Sequence, residues 1–179
     1  MDDVEIKKQS EPNYDSDKFK FLYEYKKYHL DMLRDDYKDL ENKATKYLTF
    51  VTLILTMASI FLRDYLTLPV SEKGLWYYSS LVLLIMFVIA ISPVLRWLFL
   101  CIKINKLGDL PKEGMKPYFL ENIKETVYIG TADRLDQIIE SYKKVNMEKA
   151  AFLKKAFEEI KWSSLIFIAF VIVFLINKF

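Results

Sequence analysis

The stretch YLTFVTLILTMASIFL, from Tyr47 to Leu62, carries no charged residue and is flanked by Lys46 and Arg63. Two further stretches share this character, and they run from Leu75 to about Leu95 and from Trp162 to Ile176. A bilayer requires about 20 apolar residues per helix, with about 17 at the lower end. The first and third stretches are short, so the flanking cations must extend to the headgroups or the bilayer must thin locally. The sequence predicts three transmembrane helices.

The composition agrees with this interpretation. Hydrophobic residues make up 53% of the chain and charged residues 28%, a pairing that requires the two classes to be segregated along the sequence. Four glycines and five prolines leave most of the chain free to be helical. The alternative of buried helices in a soluble protein would leave the apolar stretches without a face for water. The predicted fold class is an all-α membrane protein in which two long helices extend into a cytoplasmic helical bundle.

The first long helix is predicted to begin at Ser16, a good N-cap followed by Asp17. Apolar residues recur after it at helical spacing, and no Pro or Gly occurs before Leu62. We therefore expect a cytoplasmic stalk over residues 16–46 that continues without a break into the span at 47–62. Residues 1–15 read as a disordered tail.

The C-terminal half has a similar organisation. Gly130 is predicted to break the chain and Thr131 to cap a second stalk, whose apolar stripe continues to the span at 162–176. Residues 103–161 are expected to form a cytoplasmic helical region that includes this stalk, and the segment from Tyr118 to Ile129 is expected to be a short helix. Turns are predicted at Pro111, Gly114 and Pro117. The two stalks can bury their stripes by pairing in parallel, within one chain or between copies.

The positive charges predict the orientation. The loop between the first two spans holds only Arg63 and Lys73, which Asp64 and Glu72 offset, and nearly all other Lys and Arg precede span one or lie between spans two and three. Positive residues stay on the cytoplasmic side. The N-terminus is therefore predicted to be inside and the C-terminus outside a bacterial inner membrane.

Residues for enzymatic chemistry are scarce. The chain has one histidine, His29, and one cysteine, Cys101, and its four glycines are too scattered to cradle a phosphate. A net charge of +2 gives no bulk attraction for nucleic acid. We expect no catalytic, cofactor or metal site and no direct nucleic-acid partner.

Hydroxyl residues follow one side of the first span at intervals of three or four residues. The pore-lining candidates are Thr49, Thr52, Thr56 and Ser59, and the stripe extends to Thr45 and Arg63. Such a stripe should face protein or water because hydroxyl groups seek partners in an apolar medium. Two explanations remain open: helix packing with each hydroxyl bonded to its own helix, or several copies lining a pore.

A second set of candidates concerns a ligand. The basic residues of the second stalk are interleaved with acids, which usually indicates only a solvated face; they are Arg134, Lys143, Lys144, Lys149, Lys154, Lys155 and Lys161. A helix N-terminus favours anions, so a phosphate-bearing signal would bind best near the predicted cap. The ligand-sensing candidates are Thr131, Arg134, Lys143 and Lys144.

A resemblance follows from three short motifs. Asn42-Lys43-Ala44 precedes the first span, Ser92-Pro93 ends the second with a predicted kink, and a lysine-rich approach at Lys149 to Phe157 precedes the third. This layout resembles the small transmembrane effectors of bacterial antiphage systems, such as the Pycsar effector family. The resemblance implies a resting oligomer that permeabilises the membrane when an infection signal such as a cyclic nucleotide appears.

We expect a homo-oligomer in the lipid bilayer that forms or gates a pore in antiphage defence, triggered by a nucleotide signal or a defence-system partner. The alternative is a scaffold, for example an accessory of a CRISPR system, whose spans anchor a helical bundle that recruits a partner.

Overall fold

The computed structural model describes residues 16–67, 74–103, 107–108, 110 and 114–178. These residues form four helices and no strand: α1 (Ser16–Thr67), α2 (Leu75–Ile102), α3 (Met115–Glu121) and α4 (Lys124–Lys178). The all-helical fold class is thus confirmed. The tail predicted at residues 1–15 and the turn at Pro111 lie outside the described residues.

Three of these helices, α1, α2 and α4, are long and apolar enough to cross a membrane. The charged segment from Ser16 and the first apolar stretch form one uninterrupted helix, as predicted from the absence of Pro and Gly. Helix α2 contains Pro93 and continues past the predicted end at Leu95 to Ile102.

The region around α3 corrects two predictions. The helix expected from Tyr118 to Ile129 is instead α3, which ends at Glu121, followed by α4 from Lys124. Gly114, at a φ of 78°, precedes α3 in the left-handed conformation that glycine adopts without steric cost. Gly130 does not end a helix and lies inside α4. Glycine lowers the stability of a helix interior by only about 1 kcal/mol relative to alanine, a cost that tertiary contacts can override.

The chain divides into two compact units, and α1 and α4 contribute residues to both. Unit 1 comprises Met1–Leu33 and Leu107–Tyr142. Its core is apolar and small, and it is formed by Leu30, Leu135, Ile138 and Ile139 with Tyr23, Leu33, Leu110 and Tyr142 packed around them. An ion pair between Lys26 and Asp136 joins α1 to α4 within this unit.

Unit 2 comprises Arg34–Lys106 and Lys143–Phe179, and there α1, α2 and α4 pack against one another. Their buried residues form rows in which each residue is seven positions after the last. Helix α1 has one row, Ala44, Val51, Ala58 and Tyr65, and α4 has one row, Lys149, Ala156, Ser163 and Phe170. Helix α2 has two rows, which are Tyr77, Leu84, Ile91 and Leu98, and Ser80, Phe87, Val94 and Cys101. A repeat of seven gives a period of about 3.5 residues and predicts left-handed supercoiling with knobs-into-holes packing.

Contacts at both ends of unit 2 establish the helix directions. Glu41 pairs with Lys149 and the ring of Phe61 lies 5.0 Å from that of Phe174, so α1 and α4 run in the same direction. Tyr65 on α1 donates a 2.7 Å hydrogen bond to Ser80 near the start of α2, so α2 runs in the opposite direction.

Small side chains occupy many of the buried positions. Ala44, Ala58, Ala156 and Ser163 are each at most 3% exposed, which lets the helices approach closely. Ser163 also donates a hydrogen bond of 3.1 Å to the carbonyl of Ala90 on α2. In lipid the hydrophobic effect does not hold helices together, so close packing and such hydrogen bonds must supply the stability.

Candidate functional site

The predicted pore-lining residues lie together on one exposed side of α1, which we call the hydroxyl face. Its members are Thr45, Thr49, Thr52, Thr56 and Ser59, and all five are exposed. Each hydroxyl donates to the carbonyl four residues back at 2.8–3.0 Å, in the pairs Thr45 to Glu41, Thr49 to Thr45, Thr52 to Leu48, Thr56 to Thr52 and Ser59 to Leu55. The hydrogen-bonding capacity of these donors is therefore met within α1.

The same stretch of α1 has two other faces. One is buried against α2 and α4 and carries the row that includes Val51 and Ala58. The other is exposed and apolar, and we call it the apolar face; it consists of Phe50, Leu53, Met57 and Ile60. At about 100° per residue, the hydroxyl face lies between the buried row and the apolar face. The polar and apolar exposed residues of the span are thus sorted onto separate sides.

This sorting limits what the hydroxyl face can do. None of its side chains is covered by the chain's own helices, so packing within one chain does not explain the stripe. Back-bonded threonine still offers its oxygen lone pairs outward as acceptors. The face is suited to contact water or the polar surface of another copy.

The ligand-sensing candidates have different surroundings from those predicted. Thr131 lies inside α4, which begins at Lys124, so the prediction that Thr131 caps the second stalk is wrong. Its side chain is buried, and its hydroxyl has no hydrogen-bond partner among the residues that the structure describes. Helix N-terminal amide groups are free only in the first turn, and Thr131 lies beyond it.

The remaining three ligand-sensing candidates all lie on α4. The Arg134 guanidinium lies 5.0 Å from the centre of the Tyr118 ring and donates to the sulfur of Met115, so it serves packing in unit 1. Lys143 and Lys144 are exposed on α4. The prediction that a solvated face explains these lysines fits their exposure.

The structure reveals a polar site in unit 2 that the sequence reasoning missed. Lys149, expected on a solvated face, is 0% exposed. Its ammonium donates to Glu41 Oε1 at 2.7 Å, to the carbonyl of Cys101 at 2.6 Å and to the carbonyl of Lys103 at 3.3 Å. It also lies 4.2 Å from the centre of the Tyr37 ring. We call these four partners the ammonium seat.

The seat meets the electrostatic needs of a buried cation. A carboxylate balances the charge, and two carbonyls at the end of α2 carry the partial negative charge of a helix C-terminus. The face of an aromatic ring adds further attraction. The neighbouring Cys101 side chain is also buried, so its thiol is shielded from reagents in the solvent.

A signal for the seat was present in the sequence. Lys149 precedes Ala156, Ser163 and Phe170 by multiples of seven, so it belongs to the buried row of α4. The charge of a lysine predicts an exposed position, whereas the place of Lys149 in the row of seven predicts a buried one. Long charged side chains are almost never fully buried unless they are paired, so a lysine is usually predicted to be exposed.

Among the residues placed by the structure, no group of three or more His, Cys, Asp or Glu side chains is arranged to hold a metal ion. Comparison of the chain with protein-family models, curated proteins and solved structures gives no match. The resemblance to antiphage effectors therefore stays a prediction, and function must be argued from the hydroxyl face and its surroundings.

Proposed function

We propose that this protein is a homo-oligomeric membrane protein that forms or gates a pore, with the hydroxyl face of α1 turned toward the pore axis. The observation that supports this proposal is the sorting of exposed residues on the first apolar stretch. Hydroxyl side chains occupy one exposed side, and Phe50, Leu53, Met57 and Ile60 occupy the other. A span surrounded only by lipid needs no such division.

Assembly of copies gives each face a suitable environment. The apolar face meets lipid, and the buried row holds α1 to its own α2 and α4. Several copies arranged around an axis bring their hydroxyl faces together, where outward lone pairs of Thr52 and Thr56 offer oxygen to water and ions. The proposal assigns the chain no catalytic role and no cofactor.

In this proposal the spans lie in a bacterial inner membrane, with residues 16–46 and 103–161 in the cytoplasm because those segments hold most of the positive charge. Following the resemblance to antiphage effectors, an infection signal such as a nucleotide opens the pore and stops growth of the infected cell. Because α4 begins at Lys124 and not at Thr131, we do not propose that this signal binds at Thr131.

Ion or dye release from liposomes tests the pore. The double variant Thr52→Leu with Thr56→Leu makes the middle of the hydroxyl face apolar and leaves the buried row unchanged. We expect it to reduce release and cellular toxicity at least about tenfold, as a dewetted constriction would. The matched control is Leu53→Ile with Ile60→Leu, which changes the apolar face at constant volume and should behave as the unaltered protein does.

Two results would count against the pore. One is release and toxicity that do not differ between the Thr52→Leu, Thr56→Leu variant and the matched control. The other is a strict monomer in detergent and in lipid nanodiscs, since one chain exposes its hydroxyl face without enclosing a channel.

A second candidate function, a membrane-anchored scaffold that recruits a partner, is favoured by a different surface. In unit 1, α1 exposes large apolar side chains at helical spacing: Phe21 at 67%, Tyr25 at 67%, Tyr28 at 65% and Met32 at 48%. Contiguous exposed apolar surface of this kind often marks a binding site. If this function is the correct one, toxicity will depend on Phe21 and Tyr25 and will be insensitive to the Thr52 and Thr56 substitutions.

A further inference from the structure

The repeating pattern of unit 2 does not by itself define how α4 is placed along α1. Positions seven apart carry similar small or apolar residues, such as Ala44, Val51 and Ala58 on α1 and Ala156 and Ser163 on α4. Sliding one helix by one repeat brings comparable side chains together again. Apolar packing alone therefore distinguishes poorly between the observed register and a neighbouring one.

Most polar contacts between the helices also fail to distinguish the observed register from a neighbouring one. The hydrogen bond from Ser163 to the Ala90 carbonyl needs only a backbone carbonyl, and α2 presents one at every residue. The bond between Tyr65 and Ser80 ties α1 to α2 and leaves α4 free. Ring contacts such as Phe61 with Phe174 depend on aromatic neighbours, which α4 supplies also at Phe167 and Phe170.

Lys149 differs from all of these contacts. Its ammonium is 0% exposed and is bonded to Glu41 of α1 and to the carbonyls of Cys101 and Lys103 at the end of α2. One atom thus joins all three helices of unit 2. A slide of seven residues moves it by about 10 Å, far beyond hydrogen-bonding distance of these partners.

The residues one repeat away from Glu41 cannot replace it. Seven positions earlier α1 carries Arg34, a like charge, and seven positions later it carries Leu48, an apolar side chain. In one slid register the buried ammonium meets a cation, and in the other it has no counter-charge. Both arrangements are strongly disfavoured for a charge that is removed from water.

We propose that Lys149 and its ammonium seat fix the register of α4 against α1 and α2, and so select one packing of unit 2 from several that the heptad repeat would allow. A polar residue at a core position of a coiled coil has this effect in general. The proposal concerns the packing of one chain and does not depend on whether the protein forms a pore.

Disulfide crosslinking reports the register directly, in a Cys101→Ala background. Tyr47→Cys with Phe157→Cys probes the observed register, since these two rings lie 6.1 Å apart. Tyr47→Cys with Ala150→Cys, and Tyr47→Cys with Ser164→Cys, probe slides of one repeat in either direction. Intramolecular products are identified by mass spectrometry of the monomer band after oxidation in detergent.

With Lys149 intact, we expect the 47–157 crosslink and no more than background for the other two pairs. In Lys149→Leu, the out-of-register crosslinks should rise at least about tenfold, because losing the buried ion pair removes the penalty on slid packing. Glu41→Gln provides a second measurement in which Lys149 stays in place and only the counter-charge is lost, and the same rise is expected.

The matched control is Lys154→Leu, which removes an exposed lysine from the same helix and should leave only the observed register. The proposal is overturned if Lys149→Leu and Glu41→Gln crosslink only at 47–157. It is equally overturned if Lys154→Leu produces the same out-of-register products, since that result would reflect general loosening of α4. If Lys149→Leu does not fold, Glu41→Gln alone decides between these outcomes.

Discussion

At the scale of single residues, Gly130 shows how a missing side chain determines a contact. The Tyr118 hydroxyl lies close to where a β-carbon on Gly130 would be, and it donates a 2.9 Å hydrogen bond to the carbonyl of Thr126. The absence of a side chain at Gly130 thus leaves room for the Tyr118 hydroxyl beside α4 within unit 1. Its usual role as a helix terminator, which the sequence suggested, does not apply here.

This contact leads to a prediction about Gly130→Ala. Alanine stabilises a helix interior by about 1 kcal/mol relative to glycine, but here the added methyl group displaces the Tyr118 hydroxyl. The displaced hydrogen bond is worth about 1 kcal/mol, so we expect no gain from Gly130→Ala in the unaltered chain. In a Tyr118→Phe background the same substitution should raise stability by about 1 kcal/mol.

Thermal unfolding followed by circular dichroism in detergent measures both substitutions and their combination. The double-mutant cycle isolates the interaction between the two positions. Equal effects of Gly130→Ala in the two backgrounds would show that the Tyr118 hydroxyl does not occupy the space above Gly130.

At the scale of one element, α4 carries alanine both at a buried and at an exposed position. Ala156 is 0% exposed, whereas Ala151, five positions earlier on the same helix, is exposed. Because both are alanines in a helix interior, their intrinsic helix propensities are equal. Any difference between them on substitution therefore reports tertiary packing.

We predict that Ala156→Leu lowers the stability of unit 2 by about 1–3 kcal/mol, because the larger side chain forces α4 away from its neighbours. Ala151→Leu should change stability by no more than about 0.5 kcal/mol. Melting temperatures in detergent compare the two variants. A similar loss for both would mean that Ala156 does not lie at the contact between helices.

At the scale of the whole molecule, the distribution of charge predicts an orientation that labelling can test. In a Cys101→Ala background, Glu72→Cys is expected outside the cell membrane and Lys144→Cys inside. A membrane-impermeant maleimide applied to intact cells should label Glu72→Cys at once and label Lys144→Cys only after the membrane is opened. The reverse pattern would overturn the predicted orientation.

The unaltered chain provides an internal control for that experiment. Its one thiol, Cys101, is 0% exposed, so we expect no labelling on either side of the membrane before unfolding. Labelling of Cys101 in detergent should appear together with the loss of helical signal on heating.

Much of the fold follows from the sequence by itself. The three uncharged stretches predict three apolar helices, and the structure has a helix over each of them that is long and apolar enough to cross a membrane. The absence of Pro and Gly from Ser16 to Leu62 determines that α1 is continuous. The spacing of Thr49, Thr52, Thr56 and Ser59 places them on one face, since a helix has a constant rotation per residue.

Only the tertiary structure decided which polar residues are buried and which face of α1 stays exposed. Lys149 is buried because Glu41, two carbonyls at the end of α2 and the Tyr37 ring converge on its ammonium from distant parts of the chain. The hydroxyl face stays uncovered because α2 and α4 pack against the other side of α1. Local patterns reveal periodicity and propensity, whereas partners separated by some 50 to 100 residues are determined by how the helices pack.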